Sequence, residues 1–151
     1  MSGQSRGFGL ELSCALPAPP GLVFEKLTAE AELTRWWGPR GFTTPSAAVD
    51  LRVGGSYRFA MQPPDGDVFH LSGQFLEVDP PHRLAYTFTW EEPTPDDRET
   101  VVVLTLRSSG TGTEVTLIQG EFATEERLEL HRAGWSESFE RLRSLLVGSG
   151  T

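Results

Sequence analysis

Thr124-Glu-Glu-Arg-Leu-Glu-Leu-His-Arg-Ala-Gly-Trp-Ser-Glu-Ser-Phe-Glu-Arg-Leu-Arg-Ser-Leu-Leu-Val147 decides how the rest of the chain is read. Leu128, His131, Trp135, Phe139, Leu142 and Leu146 recur at spacings of three and four, which places them on one stripe of a helix of about six turns. Thr124 is suited to cap its N-terminus, Glu125 and Glu126 put negative charge in the first turn, and Gly148 supplies a left-handed-tolerant residue just past its end. The stripe is apolar and rich in aromatics, and it carries one histidine, His131, and a glycine, Gly134, beside its largest side chain, Trp135. A helix so apolar on one side needs a broad partner surface, and nearly everything upstream reads as strand.

Phe8, Leu10, Leu12, Cys14 and Leu16 alternate with smaller or polar residues, the period-two pattern of a half-buried strand. Pro17, Pro19 and Pro20 stop it, and Pro20 suits the first turn of a short helix carrying Val23, Phe24 and Leu27. A second short helix, from about Ala29 to Trp37, presents Leu33, Trp36 and Trp37 before Gly38-Pro39 ends it. From Phe42 to Phe122, short alternating runs separated by turn residues predict six more strands in an antiparallel meander. Val49, Leu51 and Val53 lead to a tight hairpin at Gly54-Gly55, followed by Tyr57, Phe59 and Met61. Pro63-Pro64-Asp65-Gly66 is a turn, and the next run extends from Val68 to Val78. Leu84, Tyr86, Phe88 and Trp90 form the clearest strand; Thr100 to Arg107 and Glu114 to Phe122 are the last two.

The resulting order is strand, two short helices, six strands, long helix. This is an α+β plan in which a curved seven-stranded antiparallel sheet wraps around a C-terminal helix of roughly 35 Å. Residues 8–147 read as a single domain, with tails over 1–7 and 148–151.

The 151 residues carry a formal charge of −8, which disfavours binding to phosphate backbones, and Cys14 is the only cysteine, which excludes an internal disulfide and suits a reducing, cytosolic compartment. No run is long and apolar enough to span a bilayer, and the first nine residues lack the features of a signal peptide. The familiar motifs of metal sites, phosphate loops and nucleophile elbows are absent from the sequence, so no metal or cofactor is expected.

The plan turns Tyr57, Phe59, Met61, Phe75, Tyr86, Phe88 and Trp90 of the sheet toward Leu128, His131, Trp135 and Phe139 of the helix. Large rings on a concave sheet leave room for a pocket of the mostly apolar kind that small ligands use, although the same rings can also fill the interior completely. Adjacent positions on a helix differ by about 100°, so of Trp36 and Trp37 one is expected in the core and the other near a surface or pocket mouth. Of the histidines, His82 reads as a solvated turn residue, His70 as outward-facing, and His131 as the one polar atom offered to a pocket. His131, Tyr57, Tyr86 and Glu77 are the candidate proton carriers, too few to define a reaction. The candidate ligand-binding set is therefore Trp36, Trp37, Phe59, Met61, Phe75, Tyr86, Phe88, Trp90, Leu128, His131, Trp135 and Phe139, with no catalytic residue assigned.

Several of these stretches carry a family resemblance. Ala18-Pro19-Pro20 through Val23-Phe24, Leu33-x-x-Trp36-Trp37-Gly38-Pro39, Gly41-Phe42 and Asp50-x-Arg52-x-Gly54-Gly55-x-Tyr57 resemble the homologues of the activator of the ninety-kilodalton heat-shock chaperone's ATPase. Gly73-x-Phe75-x-Glu77-x-Asp79-Pro80-Pro81-x-Arg83-Leu84, Gly112-Thr113-x-Val115-Thr116-Leu117 and His131-x-x-Gly134-Trp135 extend the likeness over about residues 10–147. The resemblance implies the START-like, helix-grip fold, with a cavity between sheet and helix. One departure is Gln119, where similar members often carry histidine. Another is the additional N-terminal chaperone-binding domain of the eukaryotic co-chaperone, for which this sequence leaves no room. Three functions follow as expectations: a binder of a small hydrophobic or aromatic molecule such as a lipid or polyketide-like compound; an enzyme of the polyketide cyclase or dehydratase type, with non-enzymatic binding preferred; and a chaperone-activating interaction protein. An apolar patch at Trp36-Trp37 also admits a homodimer contact.

Overall fold

The computed structural model describes residues 8–94 and 96–149. Its elements run β1 (Phe8–Leu16), α1 (Pro20–Thr28), α2 (Glu30–Trp36), β2 (Thr43–Val49), β3 (Ser56–Gln62), β4 (Phe69–Asp79), β5 (Arg83–Trp90), β6 (Thr100–Ser109), β7 (Gly112–Phe122) and α3 (Glu125–Ser149). The expected tail over residues 1–7 lies outside the described residues. All seven strands form one antiparallel sheet in the order β1-β7-β6-β5-β4-β3-β2. Strands β2 to β7 are a simple meander, so each pairs with its neighbour in sequence. The first strand is the exception: it pairs with the last, Leu12 opposite Leu117, and α1 and α2 carry the chain from that edge to the opposite one.

The sheet curls because α3 must be covered. At 25 residues α3 is about 37 Å long, and Leu128, Trp135, Phe139, Leu142 and Leu146 are all buried as the stripe requires. Facing them are Tyr57, Phe59, Met61, Phe75, Tyr86 and Phe88 from the sheet, and Leu33 and Trp36 from α2, in one continuous core. The alternation places the outer-face residues Val101, Ile118 and Leu76 in solvent. At the start of α3 the hydroxyl of Thr124 accepts a hydrogen bond from Arg127 N at 3.1 Å, the cap expected from the sequence.

Four local expectations are corrected. Residues 50–55 are a loop and not the end of a strand: Asp50, Arg52 and Gly55 bond one another's backbone, and Leu51 and Val53 are exposed. The strand before them is Thr43–Val49, whose small residues and Pro45 hide its pattern. Both tryptophans are buried, Trp36 wholly and Trp37 at 6% exposure, and what is corrected is the reason for separating them: α2 ends at Trp36 and Trp37 is already extended (φ −62°, ψ 139°), so helical spacing does not set their directions. Finally, α3 continues through Gly148 to Ser149.

Candidate functional site

The core is not filled throughout. Between α3, the ends of β3, β4 and β5, and the loop over residues 37–42 lies a cavity of about 410 Å³. Trp37, Phe42, Phe69, Phe88, Trp90 and Trp135 supply six aromatic rings to its wall, with Met61, Gly38, Pro39 and Gly134 between them. The rings brace one another: Trp37 stands edge-on to Trp135 at 5.2 Å and to Phe59 at 4.9 Å between centroids, and Phe88 stands edge-on to Trp90 at 5.1 Å. Glu92, Thr94, Asp97, Arg127, Leu130, His131 and Ser138 complete the lining. Since Glu92, Thr94 and Leu130 are exposed, the cavity reaches the surface beside the loop that follows β5.

The polar groups of the wall are largely engaged with one another. His131 Nδ1 lies 2.8 Å from the Arg127 carbonyl, and Trp90 Nε1 donates to His131 Nε2 at 3.2 Å. The imidazole is therefore neutral, with its proton on Nδ1, and burial holds its pKa below the ordinary histidine value. Behind the wall, Trp135 Nε1 donates to Gln119 Oε1 at 2.8 Å, and Gln119 Nε2 donates to Thr100 Oγ1 at 2.9 Å. At the rim, Asp97 Oδ2 accepts from the Thr94 backbone and hydroxyl, and Asp97 Oδ1 is 3.7 Å from Arg127 Nη1. Glu92 accepts from the backbone N of His70 at 2.8 Å and lies 2.9 Å from His70 Nδ1; the His70 hydrogen bond holds its carboxyl below the usual range.

The wall over residues 37–42 is held from behind. Arg141 Nη1, on α3, lies 3.0 to 3.4 Å from the carbonyl oxygens of Trp37, Gly38, Pro39 and Phe42. Arg40 N donates to Glu137 Oε1 at 2.9 Å. Gly38 and Gly41 adopt φ of +105° and +89°, so the loop turns its carbonyls inward where a side-chain-bearing residue would be strained.

Of the twelve residues expected from sequence to line a site, Trp37, Met61, Phe88, Trp90, His131 and Trp135 border this cavity. Trp36, Leu128 and Phe139 lie in the packed core instead. Phe59, Phe75 and Tyr86 surround a separate void of about 20 Å³ deeper under the sheet. Sequence reasoning missed Phe42 and Phe69, which touch each other at 6.2 Å across the mouth. Phe42 follows a turn, where period-two alternation gives no inward assignment, and was visible only as part of the Gly41-Phe42 motif; Phe69 shares the parity of the inward-facing Phe75 but stands at the very start of β4. It also missed Arg127, Asp97 and Arg141, whose charge marked them as solvated.

The other proton-carrier candidates are unsuited to that work. Tyr57 donates to the Thr87 carbonyl at 2.5 Å, and burial raises the pKa of both Tyr57 and Tyr86. Glu77 is paired with Arg83 at 2.8 Å on the outer face. Burial likewise pushes the Cys14 thiol up to about 11, which makes it a poor nucleophile. His70, Glu91 and Glu92 bring possible metal-ligand atoms within 4.8 Å of one another. However, Arg58 forks onto both oxygens of Glu91 at 2.9 Å, and His70 Nδ1 lies 2.9 Å from Glu92 Oε2, so these atoms already have partners within the protein.

The family model described as "Activator of Hsp90 ATPase homolog 1-like protein" matches residues 17–147. Among solved structures, protein CV1439 from Chromobacterium violaceum is similar at 25% identity and a TM-score of 0.84, over 91% of this chain and 96% of that one. Protein NE0264 from Nitrosomonas europaea shares 30% identity with a TM-score of 0.80, over 95% and 96% of the two chains. The AHSA1 protein from Silicibacter pomeroyi shares 27% identity with a TM-score of 0.81, over 93% and 99%. No curated protein matches the sequence.

Proposed function

This chain belongs to the activator of Hsp90 ATPase homolog 1-like family, and from that footing we propose that it binds a small, predominantly hydrophobic molecule in the cavity between the sheet and α3. The observation that carries this reading is the cavity itself: about 410 Å³, within the range of small-ligand sites, with six rings on its wall and a few polar groups at one end. Residues that merely filled a core would close such a space at a gain of dispersion energy. Here the backbone that carries two of the rings, Trp37 and Phe42, is tied to α3 through Arg141 and Glu137.

Binding without turnover is favoured over catalysis. Both nitrogens of His131 are in use, the tyrosines are buried, and Asp97 and Glu92 are engaged at the rim, so no acid and base face each other across the cavity. The net charge of −8 directs the reading toward a small molecule and away from nucleic acid. No helix among the described residues is long and apolar enough to cross a membrane. A cytosolic location, from the single cysteine, belongs to the same proposal.

The test is mass spectrometry of the natively purified protein for a co-purifying hydrophobe, followed by thermal shift against lipids, aromatic polyketides and flavonoids. A ligand at one hundred times its Kd should add about 2.7 kcal/mol to stability. Absence of any bound or stabilising compound would remove the proposal. The family description carries a second reading, stimulation of a chaperone ATPase; an unchanged ATPase rate on adding micromolar protein would dispose of it.

A further inference from the structure

Of the four tryptophans, three use their indole N–H: Trp36 donates to the Lys26 carbonyl at 2.9 Å, Trp90 to His131 Nε2 and Trp135 to Gln119 Oε1. Trp37 donates to no atom of the described residues, yet only 6% of its surface is exposed. A buried indole ordinarily finds an acceptor, and an unmet donor is costly. Among the described residues, the sealed polar side-chain atoms that lack a partner are Arg127 Nε and Arg143 Nε. The Trp37 nitrogen is not one of them, so it is not sealed, and of the two openings that Trp37 borders, the cavity of about 410 Å³ and the void of about 20 Å³, the cavity is the one with room for a guest.

This donor is also fixed in place. The Trp37 carbonyl accepts from Thr44 Oγ1 at 2.9 Å and lies 3.4 Å from Arg141 Nη1, while its ring is wedged between Phe59 and Trp135. A rigid, unpaired donor in an otherwise apolar wall suits one oriented acceptor on a guest, since the cost of positioning it has already been met in folding. The charged lining groups are Glu92, Asp97 and Arg127, two acids against one base that stands beside Asp97, and the fourth ionisable group, His131, is neutral with both ring nitrogens engaged. A neutral oxygen is therefore better accommodated than a carboxylate.

We infer that the ligand is an aromatic or polycyclic molecule bearing a carbonyl oxygen, and that Trp37 Nε1–H is the group that recognises this oxygen. The inference rests on the binding reading above and names the chemistry of the guest. The experiment is a titration of 15N-labelled protein, followed through its four indole N–H resonances, with two probes of one ring frame: fluorene, which has no acceptor, and 9-fluorenone, which has a ketone. Fluorenone should bind about tenfold more tightly, the worth of one hydrogen bond to an otherwise unmet buried donor. It should also move the Trp37 indole proton downfield of its position with fluorene, while the other three indole protons shift alike with both probes. Trp37→Phe assigns the resonance and should abolish the preference; if that variant fails to fold, the comparison of probes in the unaltered protein stands by itself. Equal affinity with no selective Trp37 shift would overturn the inference and leave hydrophobic binding intact. Binding of neither probe would overturn both.

Discussion

At the scale of single residues, the site is built, Trp37 apart, largely from side chains whose polar atoms are satisfied within the protein, leaving their apolar faces toward the cavity. Trp135 illustrates this: its ring lines the wall while its N–H is passed to Gln119 and on to Thr100, both fully sheltered. Trp135→Phe keeps most of the ring but strands the Gln119 oxygen, so we predict a loss of about 1–3 kcal/mol in chemical denaturation, whereas Trp135→Ala should cost about 3–5 kcal/mol. An unchanged midpoint would mean that the bond contributes nothing. The His131–Trp90 pair makes a prediction in pH. The folded state lowers the His131 pKa by burial, so between that lowered value and about 6.5 the unfolded chain binds more protons. Stability from this residue is therefore complete above pH 6.5 and is lost as pH falls through the folded pKa. Thermal melts of the unaltered protein should drop over this window by more than those of His131→Gln, and parallel curves would count against the assignment. His131 and Trp135 were legible in the sequence as inward-facing, because helical spacing fixes direction. The pairings were not: Trp90 reads as inward-facing too, but Gln119 and Trp90 are distant in sequence from α3, and only the register of β7 and β5 sets them against Trp135 and His131.

Among the elements, α3 does more than cover the sheet. Through Arg141 it gathers four carbonyls of the loop over 37–42, and that loop forms one wall of the cavity. Arg141→Ala removes the donor common to all four, and we predict a loss of roughly 1.5–3 kcal/mol, the range for hydrogen bonds to a charged group. Arg141→Lys should recover part of it, since an ammonium can meet some of the same carbonyls. Failure of lysine to do better than alanine would contradict the clamp. The sheet has its own sensitive point at Gly73 in β4, where an added Cβ would stand 2.7 Å from the Thr87 carbonyl carbon and 2.8 Å from Tyr57 Cε2. Gly73→Ala must push backbone, so a loss of at least about 1–3 kcal/mol is expected in denaturant midpoints. Helix α3 and most strands could be read from the sequence because their apolar residues are large and regularly spaced. β2 was misplaced because Thr43–Val49 has no large side chain, while the exposed Leu51 and Val53 imitate a strand inside a loop that bonds itself and the backbone of Phe75. The depth of the site was illegible for a related reason. Alternation says that Phe59, Phe75 and Tyr86 point inward, but the curl of the sheet decides that they surround the small deep void and that Phe88 and Trp90 reach the larger one.

On the scale of the whole molecule, an edge-to-edge crossover by α1 and α2, a curled meander and one long helix enclose an aromatic chamber at one end of a well-packed core. The family relationship extends over residues 17–147, so the chamber, the clamp and the buried glutamine all lie within the shared architecture. The central claim is that this chamber takes up a hydrophobic guest. Met61 provides a direct probe, because it lines the wall and the chain has only two methionines. The measurement is a titration of protein labelled with 13C at the methionine methyl groups, using a polycyclic aromatic probe, with Met61→Leu assigning the resonance. A saturable shift of the Met61 methyl resonance at micromolar probe is the predicted result. A Met61 resonance that stays fixed up to the solubility limit of every probe tried would contradict the claim.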